Sequence, residues 1–496
     1  MGGEYLGIDV GTSALRASLI GADGAVVAKA AAPYDTAAGD QGVREQDPEA
    51  WSGALARVLA QLPLSAASPA AVGLCGQTPT LVLVDADGRP VRPAMTWQDT
   101  RARLEAQELA ERLGDPVRLV GTNLPWSAAN MPAKLLWLAR HEPGSRSRTR
   151  WLFQPKDYVT FALTGRAGSD PWSSKGICEV TGASPAAAVL DACGWDPAVC
   201  PPITPAWAVA GTVTAAAAAR FGLPEGVPVT TGWSDALAQV LAAGCYQRKS
   251  AFFFSGTSAI VGAPVDDPLA RAAGLFFVPD TCSPAALLYG PTQSSGAAVS
   301  WVATLLGVAP GAVAGLACEA SAAPPTFVPY LSGERAPIWD GDLRAVFLGV
   351  GDGHGRREFA RAVLEATFFS ARHVLSLVEA ATAAPVRRIE VVGRGVGDSA
   401  WEQLAVASLG APVAFHDDPD LSARGAAMLA AVACGADLNA VAGELGAPKR
   451  AAAPSGSEVA QSRRGFARYL AAAEVAAHWR AADVSSGTGP RQGGTA

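Results

Sequence analysis

Two segments of the chain carry the same alternation of apolar and turn-forming residues. Residues 5–20 and residues 251–263 each read as an apolar strand, a Gly-Thr-Ser turn and a second apolar strand. Short apolar runs bounded by turn residues are typical of buried strands. The repetition predicts a duplicated unit with one β-hairpin in each half of the chain.

Both Gly-Thr-Ser turns are candidates for binding phosphate. Glycine permits backbone conformations in which N–H groups converge on an anion, and two hydroxyls add further hydrogen bonds. The same residue types are common in hairpin turns with a purely structural role, so one copy alone is weak evidence. The candidates are Gly11, Thr12, Ser13, Gly256, Thr257 and Ser258.

Two charged residues flank the first turn. Asp9 precedes it and could hold Mg²⁺, through water because Mg²⁺ dehydrates reluctantly. Arg16 follows the turn and could neutralise phosphate charge. A turn-stabilising aspartate and a solvated arginine are the alternatives.

The remaining pattern predicts a mixed α/β protein. Asp47-Pro48 begins a helix, helical patterns dominate from about 100 to 190, and further helices are predicted near 236–243, 295–320, 355–383 and 400–409. We predict an N-terminal domain at 1–245, a C-terminal domain at 246–445, and a last segment at 446–496 that combines a helix near 458–481 with a disordered tail.

Length and composition narrow the class of function. At 496 residues the chain exceeds what one hydrophobic core usually serves, and 49% apolar with 17% charged residues describes a globular protein. A formal net charge of −6 and the absence of basic runs argue against nucleic acid and anionic membranes as partners. The composition therefore favours small-molecule chemistry.

The expected compartment follows from the cysteines and the N-terminus. Eight scattered cysteines show no metal-ligand spacing, and no secretory signal begins the chain, so we expect reduced thiols and a cytoplasmic protein. Residues 281–318 lack charge, but prolines, glycines and polar residues interrupt the run, so we predict no membrane span there.

Asp235 is the candidate general base. It follows a predicted strand and a Gly-Trp-Ser turn and precedes a predicted helix, whose positive N-terminus favours the ionised carboxylate. One carboxylate beside the γ-phosphate takes the proton of the attacking hydroxyl in phosphoryl transfer. A helix N-cap is the alternative role, and Asp is favoured there.

A glycine-rich loop at 391–399 is a third candidate element. Gly393 and Gly395 lie between a predicted strand and a helix and allow close approach of the backbone to a flat or phosphorylated ligand. A dinucleotide site is the rival interpretation, because Asp417 lies 20 residues beyond Gly397. The spacing Gly-x-Gly-x-Gly counts against it, since that fingerprint is Gly-x-Gly-x-x-Gly.

Taken in order, several segments resemble the FGGY family of carbohydrate kinases, and its xylulokinase-like branch most, over about residues 5 to 440. The segments are Gly7–Ser13, Glu45–Pro48 with Trp51, Gly76-Gln77, Trp97–Asp99 with Arg101, Pro155–Tyr158 with Leu163–Gly165, Gly232–Asp235, Gly256–Ser258 and Val328–Pro337.

The resemblance implies a fold and a set of roles. It implies two actin-like, ribonuclease H-like domains that close on MgATP and a sugar, with Asp235 as the base. The family's phosphate-facing positions are Thr12, Ser13, Arg16 and Thr257, and its adenosine side is Gly296, Ser300, Gly393 and Asp398. Gln77, Thr78, Asp99 and Asp235 are expected to bind the substrate, and Asp9 and Asp235 to hold Mg²⁺ through water.

Two departures from the family pattern concern the sugar side. Thr78-Pro79 stands where xylulokinase-like members carry Met-His, and Ala236 follows the base in place of a polar residue. We expect an ATP-dependent kinase of a small sugar or polyol. Within that class the expected substrate is a ketopentose such as xylulose. A kinase for glycerol, a sugar acid or another polyol, a non-catalytic nucleotide-binding protein on the same fold, and an NAD-linked oxidoreductase stay open, as does a homodimer.

Overall fold

The computed structural model describes residues 3–64, 68–418, 420–438, 441, 448 and 450–485. The predicted disordered tail lies outside the described residues apart from its first position. The chain divides into two compact units. The first comprises Met1–Arg248, Phe277–Leu287 and Asp420–Ala447, and the second Lys249–Phe276, Leu288–Pro419 and Pro448–Ala496. The domain boundaries near 245 and 445 stay a prediction.

The described strands, in chain order, are β1 (Tyr5–Val10), β2 (Ala14–Ile20), β3 (Val26–Pro33), β4 (Ala37–Ala38), β5 (Arg44–Gln46), β6 (Ala71–Gly76), β7 (Val82–Val84), β8 (Ala94–Met95), β9 (Trp151–Phe153), β10 (Cys178–Glu179), β11 (Ser184–Pro185), β12 (Val209–Thr212), β13 (Pro228–Thr230), β14 (Trp233–Ser234), β15 (Ala251–Ser255), β16 (Ala259–Pro264), β17 (Phe276–Val278), β18 (Leu287–Thr292), β19 (Thr326–Val328), β20 (Val346–Leu348), β21 (Ile389–Gly393), β22 (Val413–His416) and β23 (Arg450–Ala452).

The described α-helices are α1 (Pro48–Leu59), α2 (Arg103–Leu113), α3 (Val117–Val120), α4 (Met131–His141), α5 (Pro143–Arg148), α6 (Pro155–Thr164), α7 (Ala187–Ala192), α8 (Ala215–Phe221), α9 (Asp235–Ala242), α10 (Cys245–Arg248), α11 (Gly296–Leu306), α12 (Val313–Cys318), α13 (Arg356–Thr382), α14 (Ser399–Leu409), α15 (Leu421–Ala433) and α16 (Gly456–Ser485).

The central sheet of the first unit has the strand order β12-β13-β6-β1-β2-β3, with β14 also paired to β6. Strands β1 and β2 form an antiparallel hairpin, while β1 and β6 are parallel, with Gly7 opposite Gly73. Strand β1 is buried along its whole length, as a strand covered on both faces must be. Helices α1 and α6 contribute Trp51, Leu55 and Val159 to its core.

Helix α15 packs against this sheet at backbone distance because glycines remove the side chains in between. A Cβ atom at Gly7 would lie 1.9 Å from the carbonyl oxygen of Ala423, and one at Gly73 would lie 1.8 Å from that of Ala426. Gly425, on the helix, approaches α9 equally closely, since a Cβ there would be 2.0 Å from the carbonyl oxygen of Ala238. The segment Asp420–Ala447, which contains α15, thus belongs to the unit that the first residues of the chain begin.

The second unit repeats the arrangement of the first sheet. Its order is β17-β18-β16-β15-β21-β22-β23, with β15 and β16 antiparallel and β15 parallel to β21. In both units a hairpin with a Gly-Thr-Ser turn therefore has its first strand parallel to another strand. The predicted repetition of the hairpin is confirmed.

In the part of the chain that the structure describes, no single helix combines the length and hydropathy of a membrane span. Gly296–Leu306 and Pro310–Cys318 reach that composition only as a pair, with a 94° bend between them.

Replacing Gly73 with Ala is expected to destabilise the first unit strongly. The added Cβ would meet the Ala426 carbonyl at 1.8 Å, and both sides of this contact are backbone, so no side chain can rotate away. Overpacking costs about 1–3 kcal/mol, and a contact this short between backbone atoms is expected to lie at the upper end of that range. The measurement is the midpoint of urea unfolding. Gly53→Ala is the matched control: it lies in α1 with no atom closer than 3.4 Å and should be neutral or stabilising. Equal midpoints for the two variants would contradict the role of the close packing.

Candidate active site

The turn of the first hairpin is held by side chains that donate to its carbonyl oxygens. The hydroxyl of Tyr34 and the amide of Gln77 (3.2 Å) both donate to the carbonyl of Gly11, and the amide of Gln46 donates to that of Thr12 at 2.6 Å. The backbone N–H groups of Thr12 and Ser13 have no partner among the described residues, and Ser13 is exposed. The turn therefore leaves two N–H donors available, and its binding of a phosphate stays a prediction.

Asp9 lies at the end of this hairpin, opposite Arg16 in the β1–β2 register. Its carboxylate is buried and accepts hydrogen bonds from the Ser422 hydroxyl (2.6 Å) and, more weakly, from the Cys75 thiol (3.6 Å). Burial raises the pKa of Asp9, although the hydrogen bond from Ser422 and the charge of Arg16 oppose the shift.

Arg16 lies beside the same turn. A Cβ atom at Gly11 would be 3.2 Å from Nη1 of Arg16, and the Nε atom of Arg16 is 3.5 Å from Oδ1 of Asp420. Asp420 also pairs with Lys29 at 3.4 Å. The arginine stays about one-third exposed, so its guanidinium is oriented by Asp420 and still open to a ligand.

Asp235 begins helix α9, and Ser234 is the residue that caps it. Ser234 has extended backbone and its hydroxyl accepts from the N–H of Leu237 at 3.4 Å. The Asp235 carboxylate accepts from the N–H of Ala236 at 2.7 Å and remains partly exposed. The N-cap alternative for Asp235 is therefore wrong in this structure, since the serine performs that role.

The environment of Asp235 suits proton transfer near neutral pH. Burial, and then the negative charge of Asp9, raise the pKa of Asp235 from its ordinary value of 3.8 to about 7, while the Ala236 N–H and the charge of Lys175 oppose the rise. Two carboxylates held near each other in a poorly solvated place cannot both ionise freely. This is a place where a cation would be favoured.

Two buried lysines lie in the same unit, and the charge of one of them, Lys175, acts on Asp235. Burial lowers the pKa of Lys175 to about 8, and its ammonium donates to the carbonyl of Trp172 at 3.3 Å. Lys156 is fully buried between Asp157 and Asp170, with 2.9 Å to the latter. Among the described residues no cluster of three His, Cys, Asp or Glu side chains could hold a metal ion, so a divalent cation here would need ligands from water or substrate.

The predicted substrate-binding residues differ in their exposure to solvent. Gln77 is buried and serves the hairpin turn, since its amide also donates to Oε1 of Gln46 at 2.7 Å. Asp99 is fully buried: desolvation opposes its ionisation, but hydrogen bonds from Arg101 and from the Arg44 N–H outweigh it and lower its pKa. Thr78 is partly exposed. The roles of all three toward a sugar stay predictions.

In the second unit, the turn after β15 meets the start of helix α11. The N–H of Gly296 donates to the carbonyl of Gly256 (2.9 Å), and the N–H of Ala297 donates to that of Thr257 (2.9 Å). A Cβ atom at Gly296 would lie 2.6 Å from the Gly256 carbonyl oxygen, so glycine is required for this contact. The sequence placed Gly256, Thr257, Ser258 and Gly296 in one site, and the structure brings them together.

The glycine-rich loop adjoins the same turn. Gly393 pairs with Ser255 in the β15–β21 register, with φ of 104°, and the N–H of Arg394 donates to the Ser255 carbonyl at 2.8 Å. Gly395 lies against the ring of Trp401. Asp398 caps helix α14 by accepting from the N–H groups of Ala400 and Trp401, and Ser300 is exposed on α11.

Sequence reasoning missed three residues that act on the first hairpin and the base, namely Asp420, Ser422 and Lys175. The first two lie more than 400 residues from Asp9 and Arg16 along the chain, and an isolated serine or aspartate at a helix start reads as an ordinary cap. The one available clue was Gly425-Ala426-Ala427, a small-residue run that allows a helix to approach a sheet closely.

Comparison with known proteins identifies the class. Residues 4–242 match the model of the N-terminal domain of the FGGY family of carbohydrate kinases, and residues 251–434 match the model of its C-terminal domain. The xylulose kinase of Streptomyces coelicolor is 32% identical over 453 residues, covering 88% of this chain and 89% of that protein. The xylulose kinase of Lactococcus lactis is 29% identical over 451 residues, with 87% and 88% covered.

A solved structure supports the same assignment. The crystal structure of xylulose kinase from Rhodospirillum rubrum superposes with a TM-score of 0.87 at 26% identity and covers 96% of this chain and 99% of that one. The chain is thus a carbohydrate kinase. It belongs to the FGGY family, which confirms the resemblance and removes the oxidoreductase and the non-catalytic nucleotide-binding protein as alternatives.

Replacing Asp235 with Asn is expected to stabilise the metal-free protein at alkaline pH. A carboxyl whose pKa is raised from 3.8 to about 7 on folding contributes stability below the lower value, and that contribution is lost as pH rises through the upper one. Asn carries no charge at any of these pH values, so the variant does not lose this contribution to the free energy of unfolding. We expect the unfolding midpoint of Asp235→Asn to exceed that of wild type by about 3 °C or more near pH 8.

The comparison is made by scanning calorimetry in the presence of a chelator, at pH values from about 5 to 8. The advantage of the variant should shrink toward the acid end. A variant less stable than wild type at the alkaline end would contradict the repulsion between Asp9 and Asp235.

Proposed function

We propose that this chain transfers the γ-phosphoryl group of ATP to a hydroxyl of a ketopentose, with xylulose as the first candidate. Asp235 takes the proton of that hydroxyl, its oxygen forms a bond to the γ-phosphorus, and the bond between the γ-phosphorus and the bridging oxygen breaks to release ADP. The proposed substrate rests on the names of the relatives that match most of the chain.

The observation that carries the mechanism is the state of Asp235. It stands at the first position of α9 with its cap role taken by Ser234, it is partly exposed, and its pKa is raised to about 7. A general base is most effective when its pKa lies near the working pH. The raised pKa therefore supports a role as general base. An aspartate with a purely structural role does not need a pKa near the working pH.

Both hairpin turns are proposed to bind the phosphates of ATP. In the first, the free N–H groups of Thr12 and Ser13 and the exposed side of Arg16 are the donors. In the second, Thr257 and Ser258 follow Gly256, beside the start of α11. Gly393, Gly395, Ser300 and Asp398 are proposed for the adenosine side.

The residues present suit a Mg²⁺ ion that travels with ATP. Asp9 and Asp235 repel each other, and a cation shared with the phosphates would relieve that repulsion. When bound, Mg²⁺ would neutralise charge on the phosphates. The contribution of the protein is to hold the two carboxylates, with Asp9 fixed by Ser422 and Asp235 fixed by the N–H of Ala236.

A kinase for another polyol or for a sugar acid is the second candidate, and the position of Thr78 favours it. Its neighbours are anchored: Gln77 donates to the Gly11 carbonyl, and Lys134 donates to the Pro79 carbonyl at 3.1 Å. Thr78 is thereby held partly exposed beside the first hairpin, with a side chain that differs from the family pattern. A smaller polar group at a sugar-contacting position would accept a different hydroxyl pattern.

Asp235→Asn is expected to lower kcat by about 10²- to 10⁴-fold, because the variant cannot accept the hydroxyl proton. For wild type, kcat/KM should fall as pH drops below about 7, since only the ionised carboxylate acts as a base. The measurement is a coupled assay of ADP release across pH. Asp196→Asn is the control, because Asp196 is exposed and its carboxylate only accepts from the N–H of Ala198, a cap that Asn also forms. Retention of near-normal turnover in Asp235→Asn would remove this residue from the role.

A panel of acceptors tests the substrate. Xylulose, ribulose, glycerol and gluconate are compared by kcat/KM in the same assay, and a ketopentose is expected to give the highest value. A preference for glycerol or gluconate would overturn the ketopentose and favour the second candidate. ADP release that no acceptor stimulates would overturn both. The Asp235→Asn protein supplies the background rate for each acceptor.

A further inference from the structure

The first turn of helix α15 contacts both charged residues of the first phosphate hairpin. Ser422 donates a hydrogen bond of 2.6 Å to Oδ2 of Asp9, and both residues are buried. Asp420, immediately before the helix, pairs with Arg16 at 3.5 Å. One helical turn therefore engages the carboxylate on one strand of the hairpin and the guanidinium on the other.

Ser422 is the strong donor to Asp9 among the described residues. The Cys75 thiol lies 3.6 Å from Oδ1, but it is a weak donor with one hydrogen, and the carbonyl of Ser422 is a nearer acceptor at 3.3 Å. A hydroxyl bound to Oδ2 fixes the rotation of the carboxylate and leaves Oδ1 on the side of the weaker partner. Hydrogen bonds to charged groups are also the more stabilising kind.

The position of Ser422 is fixed by the backbone rather than by its own side chain. A Cβ atom at Gly7 would lie only 1.9 Å from the carbonyl oxygen of Ala423, the neighbour of Ser422. Gly425 approaches the backbone of α9 just as closely. The helix start is thereby clamped between the strand that carries Asp9 and the helix that begins with Asp235. The backbone of Ser422 is thereby held beside Asp9, and its hydroxyl is buried against that carboxylate.

We infer that Ser422 is a positioning residue for Asp9: its hydroxyl holds the carboxylate in the orientation that receives the Mg²⁺ of MgATP. The inference rests on the proposed function, in which Asp9 binds Mg²⁺ through water. In this inference Ser422, which is buried, acts through its hydrogen bond to Asp9 and not through a contact of its own with nucleotide or sugar.

The test is a double-mutant cycle read by binding. MgATP affinity is measured by isothermal titration calorimetry, without sugar, for wild type, Ser422→Ala, Asp9→Asn and the double variant. We expect Ser422→Ala to weaken MgATP binding by about tenfold, the loss of one hydrogen bond to a charged group. ATP binding without Mg²⁺ should change much less. In the Asp9→Asn background the further loss from Ser422→Ala should nearly vanish, because the two act through one contact.

Matched variants separate positioning from packing. Ser422→Thr keeps the hydroxyl and should restore most of the affinity. Ser18→Ala removes another buried serine hydroxyl of the same unit, on β2 opposite Gly7, which has no hydrogen-bond partner in the described part of the chain, and it should bind MgATP like wild type. If Ser422→Ala does not fold, Ser422→Cys, with a weaker donor of similar size, should show an intermediate loss.

The outcomes distinguish this inference from the proposed function. If Asp9→Asn weakens MgATP binding while Ser422→Ala binds MgATP like wild type, the positioning role of Ser422 alone is overturned. Full additivity in the cycle would do the same, since it would mean that Ser422 acts independently of Asp9. An Asp9→Asn protein with unchanged MgATP binding would remove Asp9 from the metal site, and the inference would fall with it.

Discussion

The burial of two neighbouring carboxylates, Asp9 and Asp235, is the constraint on which the site of the first unit depends. Strand β6 lies between them: Cys75 is paired with Asp9 of β1 on one side and with Trp233 of β14 on the other, and Asp235 follows two residues later. Neighbouring strands are about 4.8 Å apart, so the sheet itself brings the two acids to one edge. Each one raises the free energy of ionising the other, and the fold must hold both in place.

That constraint explains why a helix from the far end of the chain belongs to the first unit. Helix α15 supplies the hydroxyl that binds Asp9 and the carboxylate that orients Arg16, and it can do so only by lying against β1 and β6 at backbone distance. Glycines at Gly7 and Gly73 on the strands and Gly425 on the helix make this approach feasible. These glycines, which take no part in the chemistry, thus determine where the charged side chains lie.

The sequence predicted the local parts of this structure well and the long-range parts poorly. Both hairpins, the helix after Asp47 and the loop at 391–399 follow from turn chemistry and apolar runs, which are encoded by neighbouring residues. The contact of Ser422 with Asp9 spans more than 400 residues, and nothing in the period of either segment indicates it. Lys175 escaped notice for the same reason, because its place near Asp235 depends on how a loop folds rather than on spacing.

The two aspartates at helix starts show where local reasoning stops. Asp235 and Asp398 both precede a predicted helix, and the sequence assigned each a place in the site, with a capping alternative stated for Asp235. The difference lies one residue upstream. Before α9, Ser234 has the extended backbone of an N-cap and accepts from the N–H of Leu237, which places Asp235 inside the helix, where its carboxylate accepts from the N–H of Ala236. Before α14, Asp398 itself has the extended backbone and its Oδ1 is used by two N–H groups. At α9 the serine before the aspartate takes the contact with the N–H of Leu237, so the Asp235 carboxylate keeps one backbone contact, to Ala236, and is otherwise available for the proton transfer proposed for it.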